Sequence, residues 1–368
     1  MKKLFFGALT MVALLASCSS EDDVVANNNQ AGENDLVEIK LGTGSRIGTN
    51  VAEARAALEK WSNTTIGIYA LGKNAATWDE NETIDSKSVL LNNVKGSVAA
   101  DSIGETPADS ANVVTFENSE TYYYPRSNEE QYNFYGYYPV DQVTAAFNTA
   151  GDSLTVTGPF DGTQDILWGK AEVVDNGYNA GYFRTKTNGV WEENTNTAPD
   201  LKFKHILTRF VFNVNAGLDY DPNKCAIDSI KIKQPNTYTM LLATKTASAT
   251  EGTLTWGTDS TVIQALIGTP PLKLTQDATT YETKEGVVDI MLPAAQSKYE
   301  FVLNIKSTTG TGTETIVSPV TIIPTGTIAS FDAGKKYVIN LTVHGPKQIE
   351  VTATLEAWED GGELDFDI

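Results

Sequence analysis

The chain has 368 residues, 41% of them hydrophobic, and sets 27 Lys and Arg against 47 Asp and Glu for a formal net charge of −20. A surface this acidic repels phosphate backbones and speaks against nucleic acid as a partner. Two cysteines and two histidines are too few for a disulfide framework, and their spacing fits no metal site built on those ligands.

Lys2 and Lys3 open the chain, and a nearly unbroken apolar run follows from Leu4 to Ala16. The run is too short to cross a bilayer, which takes roughly 20 apolar residues. It has the length of a signal-peptide core. Leu15-Ala16-Ser17-Cys18 resembles a lipobox, so residues 1–17 read as a leader and Cys18 as the acylated (palmitate-bearing) first residue of an outer-membrane lipoprotein. An ordinary signal peptide that happens to contain a cysteine is the plainer alternative. Ser19 to Asp23 is acidic, and Val24 to Asn34 is polar without period, the composition of a tether.

Val37, Ile39 and Leu41 then alternate with Glu38 and Lys40, the period of a half-buried strand. Asn50 to Trp61 is rich in helix formers and reads either as a short helix or equally as a mobile segment. Period-two or β-branched runs recur at Thr64 to Leu71, Gln131 to Pro139, Thr208 to Asn215, Lys298 to Ile305 and Ile349 to Ala357. Asn194 to Asp200 is polar and precedes a new strand at Leu201, so two domains are expected, 47–199 and 200–368. Cys225 stands before a strand-like run and reads as a small buried residue. After Gly361-Gly362, Leu364, Phe366 and Ile368 share one face of a last short strand. No βαβ alternation and no internal repeat is visible. The class is therefore all-β, built as β-sandwiches.

Catalytic chemistry is missing from this pattern. His205 lies inside a strand and His344 at a strand end, neither beside a nucleophile or an orienting acid. There is no nucleophile elbow and no dinucleotide fingerprint. An enzyme is not expected, nor a cofactor, nor a metal. The clustered Tyr122 to Tyr124 and Tyr135 to Tyr138 suggest a sugar-stacking platform, against the simpler reading of sandwich core.

Five stretches taken in order resemble the fimbrillins, the subunits of type V pili: Tyr132-Asn133-Phe134-Tyr135-Gly136-Tyr137-Tyr138-Pro139, Gln164-Asp165-Ile166-Leu167-Trp168, Phe203-Lys204-His205-Ile206-Leu207-Thr208-Arg209-Phe210, Gly334-Lys335-Lys336-Tyr337-Val338-Ile339-Asn340-Leu341, and Ile349 to Trp358. The resemblance implies two tandem transthyretin-like sandwiches and assembly by strand exchange. In that scheme an arginine-specific protease removes an N-terminal strand, and the C-terminal strand of another subunit fills the groove. On this sequence the removable strand is Val37, Ile39 and Leu41 within residues 18–46, the cut falls after Arg46 or Arg55, and the donor is Leu364, Phe366 and Ile368. The implied partners are other pilus subunits, the protease, the outer membrane through the lipid, and a host protein or glycan receptor. The competing expectations are that both terminal strands pack at home in a monomer, and that the protein is a monomeric surface lipoprotein binding glycans through its aromatics.

Overall fold

In the computed structural model, residues 36–43, 61–80, 87–99, 112–126, 128–171, 177–188, 190–266, 270–275, 283–309, 312–324, 329–345 and 348–356 are described. They form an almost wholly β structure. The alternating runs become strands because alternate residues fall on opposite faces and at least one face meets a core; in 64–72 and 132–138 both faces do.

The largest sheet has seven strands: β1 (Gly42–Thr43), β2 (Thr64–Gly72), β3 (Val89–Val98), β4 (Asn112–Phe116), β5 (Tyr132–Tyr138), β8 (Leu167–Ala171) and β11 (Leu201–His205), in the spatial order β1-β4-β3-β2-β5-β8-β11. Its two ends meet. Gly42 bridges Asp200 in parallel, and the Gly42 N–H donates to the Pro199 carbonyl at 3.0 Å. The sheet therefore curls shut around a core that holds Ile66, Ile68 and Ala70 of β2, Phe134 of β5 and Leu201 of β11.

The opposite face of β2 and β5 carries Tyr69, Tyr135 and Tyr137 into a second core. A four-stranded sheet contributes to that core: β6 (Thr144–Phe147), β7 (Ser153–Pro159), β14 (Thr237–Thr244) and β15 (Leu254–Trp256), ordered β15-β14-β7-β6. The rest is a sandwich of two more four-stranded sheets. One runs β17-β12-β20-β21 and contains β12 (Leu207–Ala216), β17 (Thr283–Pro293), β20 (Lys336–Gly345) and β21 (Gln348–Glu356). The other runs β16-β13-β18-β19 and contains β13 (Cys225–Pro235), β16 (Ser260–Leu266), β18 (Tyr299–Thr309) and β19 (Gly312–Ile322). Phe210, Phe212 and Val214 of β12 and Tyr299, Phe301, Leu303 and Ile305 of β18 fill it, on the faces their alternation predicts.

Strand pairing crosses the boundary expected at 199/200. β11 pairs with β8 over Leu201–His205, and β14 pairs with β7 from Thr237 to Thr244. The second core runs on from one half of the chain into the other. Cys225 is 2% exposed, and burial pushes its thiol up to about 11. It is the small interior residue its position suggests.

Candidate functional site

The site is built on residues 36–43. Ile39 is 2% exposed, Leu41 3% and Thr43 fully buried, while Glu38 and Lys40 face out, 4.0 Å apart. The alternation puts Ile39 and Leu41 in the same core as Trp61, Val114 and Phe116. Burying two such side chains stabilises the closed form by roughly 1.5–3 kcal/mol each. One edge of the segment is bonded along its length. The Tyr124 N–H donates to Val37 O at 2.9 Å, Ile39 N–H to Tyr122 O at 2.7 Å, and Val114 N–H to Leu41 O at 3.0 Å. The Gly42 bond to Pro199 ties the other edge. The segment is thus the stave that closes the seven-stranded sheet between β4 and β11.

Beside it, the chain after β8 builds a wall. A one-turn helix, α1 (Ala180–Phe183), leads into a hairpin of β9 (Arg184–Thr187) and β10 (Val190–Glu193) that belongs to no larger sheet. Asn179 caps the helix, accepting from the Tyr182 N–H at 2.9 Å, as short polar side chains do at helix starts. The Phe183 ring stacks on Tyr124 at 5.4 Å, and burial pushes the Tyr124 phenol well above its ordinary range. On the hairpin the Arg184 guanidinium lies 4.2 Å from the Trp191 ring centroid, with Lys186 at 5.1 Å. Between wall and segment lies an open groove of about 390 Å³, lined by Leu36, Val37, Glu38 and Lys40 on one side and by Phe183, Arg184, Asn194, Asn196 and Ala198 among others on the opposite side.

The stretches singled out in the sequence knit this frame together. Phe203 of β11 lies across two glycines: a Cβ at Gly136 would come 2.5 Å from its ring, and one at Gly169 2.8 Å. His205 Nδ1 and Asp165 Oδ2 are 2.6 Å apart, with side chains 1% and 0% exposed. The Asp165 Oδ1 also accepts from the Ile166 N–H at 2.8 Å. Three positions after His205, the Thr208 hydroxyl donates to Asp332 O at 2.8 Å. Arg209 clasps Asp289 through Nε at 3.0 Å and Nη2 at 2.6 Å. Gly334, at φ +66°, donates its N–H to Leu207 O at 2.8 Å. One stretch, 203–210, therefore bolts β5, β8, β17 and the approach to β20 to each other.

A family model described as fimbrillin-like matches residues 54–358. The chain belongs to the fimbrillin-like family. Membership implies a place in a cell-surface appendage, in company with other fimbrial subunits. No curated protein matches the sequence. Three solved structures resemble this fimbrillin-like chain at a distance. A fimbrial protein of Bacteroides vulgatus has 13% identity and a TM-score of 0.48, with 88% of this chain and 99% of that one covered. A candidate cell adhesion protein of Bacteroides uniformis has 17% identity and a TM-score of 0.47, covering 89% and 100%. The fimbrial anchor protein Mfa2 of Porphyromonas gingivalis has 10% identity and a TM-score of 0.35, covering 87% and 99%. Likeness at this level carries nothing about function.

The closing segment 36–43 precedes the matched span. Cys18, Arg46 and Arg55, the donor residues Leu364, Phe366 and Ile368, and all of the candidate helix but Trp61 lie outside the described residues. Val37, Ile39 and Leu41 lie along one segment that pairs through a bridge at Glu38 and becomes regular strand only at Gly42–Thr43, with Val37 half-buried. The aromatic cluster is mostly core: Tyr124, Tyr132, Tyr135 and Tyr137 are each 2% exposed or less. His205 is held by Asp165, and His344 packs on Gly217, whose Cβ would come 2.4 Å from its Nδ1. What the sequence did not announce is the wall at 183–198. It has no period, and only the Asn-rich run Asn194 and Asn196 hints at backbone capping, seen where both side-chain amides donate to Tyr182 O at 3.1 and 2.5 Å.

Proposed function

We propose that this fimbrillin-like chain is a pilus subunit, or an accessory or tip adhesin, that assembles by protease-triggered strand exchange and mediates adhesion without catalysing a reaction. It is delivered as a lipoprotein anchored through Cys18. Cleavage after Arg46 or Arg55 severs the covalent link between residues 36–43 and the body. The alternating Leu364, Phe366 and Ile368 of another copy then take the place of Ile39 and Leu41. One observation carries this reading: the segment seals the seven-stranded sheet between β4 and β11, and both arginines lie between its last described residue, Thr43, and Trp61, the next core residue among the described ones. A cut there leaves the stave held by packing and hydrogen bonds alone. Main-chain pairing joined to alternate side chains in pockets is the general mode of strand addition, and a head-to-tail contact of this kind grows filaments.

The test is to incubate the purified precursor with an arginine-specific protease and to follow N-terminal sequence, SDS-resistant ladders and filaments by electron microscopy. The expected result is a cut after Arg46 or Arg55 with ladders, both lost in the Arg46→Ala, Arg55→Ala double variant. Ladders that persist in the double variant overturn the processing step. The glycan-binding reading keeps only Tyr123 and Trp191 as large exposed aromatics among the described residues, at 43% and 39%.

A further inference from the structure

The closing segment is held unequally along its length. Leu41, Gly42 and Thr43 are all buried, whereas Leu36 and Val37 are half-buried and Glu38 and Lys40 exposed. The groove of about 390 Å³ lies along this looser end, a volume within the range of roughly 300–1,000 Å³ typical of small-ligand sites. Backbone pairing is lopsided in the same place. Successive residues of a strand turn their N–H and C=O groups to opposite edges. Val37, Ile39 and Leu41 spend theirs on residues 124, 122 and 114. Glu38 and Lys40 turn theirs the other way, toward the groove, and among the described residues they meet no hydrogen-bonding partner. Leu36, Val37, Phe183 and Ala198 give the groove apolar walls, and Asn194 and Asn196, whose amide N–H groups are held by Tyr182 O, line it with polar atoms.

An open strand edge beside a part-apolar trough is a place for an extended peptide that alternates polar and apolar side chains. The chain carries such a peptide in residues 357–368, which follow β21 and end in Glu363-Leu364-Asp365-Phe366-Asp367-Ile368. Rim charges are balanced, Arg184 and Lys40 against Glu38 and Glu193, so the apolar positions decide the fit. We propose that this groove is the landing site for the C-terminal tail of a second copy, which docks while the segment is still in place and displaces it from the Leu36 end toward Thr43. This rests on the strand-exchange reading above and adds to it an order of events. The cut does not open the sheet; the incoming strand does. A nicked copy meanwhile remains closed, its Ile39 and Leu41 still buried.

The test uses the full chain after its leader, labelled with a fluorophore at Asn34→Cys and cut by the protease, or at a site engineered after Arg46 where both arginines resist. Release of the labelled segment is followed against a synthetic peptide of residues 357–368. The expected release rate rises in proportion to peptide concentration. Ala198→Trp, which fills the groove, lowers that slope about tenfold, while unassisted release stays within about twofold. Asn196→Trp serves as a second filling variant should the first fail to fold. A release rate independent of peptide concentration, or a slope indifferent to both variants, overturns the landing site and leaves strand exchange standing. No displacement at any concentration overturns strand exchange and this proposal with it. Release that the chain's own tail accelerates without peptide, independent of protein dilution, overturns the choice of a second copy as occupant.

Discussion

Two stretches of this molecule bury their side chains almost equally and are held quite differently. Ile39 in the closing segment is 2% exposed, and Phe210 in β12 is 0% exposed. β12 is bonded on both edges, to β20 from Arg209 to Ala216 and to β17 from Leu207 to Asn215. The segment is bonded along one edge and, among the described residues, touches the other only at Gly42. Burial measures what a side chain gains; pairing on two edges decides whether a strand can leave alone. A segment with a buried apolar face and one open edge is stable in place yet has fewer main-chain bonds to lose on leaving.

The sharpest way to break that comparison is Phe210→Ala. Its ring meets Tyr299 and Phe331 at 4.9 Å each, and the truncation is expected to cost about 3–5 kcal/mol. The loss appears as a lower denaturant midpoint in the intact chain and equally in an assembled one. Ile39→Ala is expected to cost somewhat less, about 2–4 kcal/mol, and only in the intact chain. Once a donor strand has replaced the segment, the same substitution should leave the melting temperature unmoved; an equal loss in both states would mean the segment never leaves. Smaller again is Gly136→Ala, whose methyl meets Phe203. Overpacking of this kind costs about 1–3 kcal/mol, and Phe203→Leu in the same chain should restore most of it, read as a double-mutant cycle. The least effect is expected at Trp191→Ala, about 0.5–1 kcal/mol from the lost contacts with Arg184 and Lys186. Because the hairpin stands outside every larger sheet, that change should not alter the cooperativity of unfolding.

Much of this was legible because a strand with one buried face repeats every two residues. Val37, Ile39 and Leu41 declare their own face, as do Tyr299, Phe301, Leu303 and Ile305. Period says nothing of partners. Nothing local announces that Thr157 lies opposite Thr239, or that Leu201 to His205 completes the sheet begun at Gly42. The contact of Phe203 with Gly136 and Gly169 was equally hidden, since a glycine shows its reason only when the ring above it is placed. His205 gave a similar lesson. Its strand context pointed to a structural role, but the carboxylate that holds it stands forty residues earlier, at Asp165. The wall at 183–198 has turns, caps and a free-standing hairpin in place of a period, so the groove it makes with the segment could be found only in three dimensions.

The meeting of β1 with the start of β11 has one more consequence. An open sheet advertises two ribbons of unsatisfied amides and carbonyls, the standing invitation to uncontrolled aggregation. Here the closure leaves one short stretch of such edge beside the groove, and its side chains are Glu38 and Lys40, charged groups of the kind that ward off casual pairing. Closure thus confines what the seven-stranded sheet offers a neighbour to that one guarded stretch beside the groove.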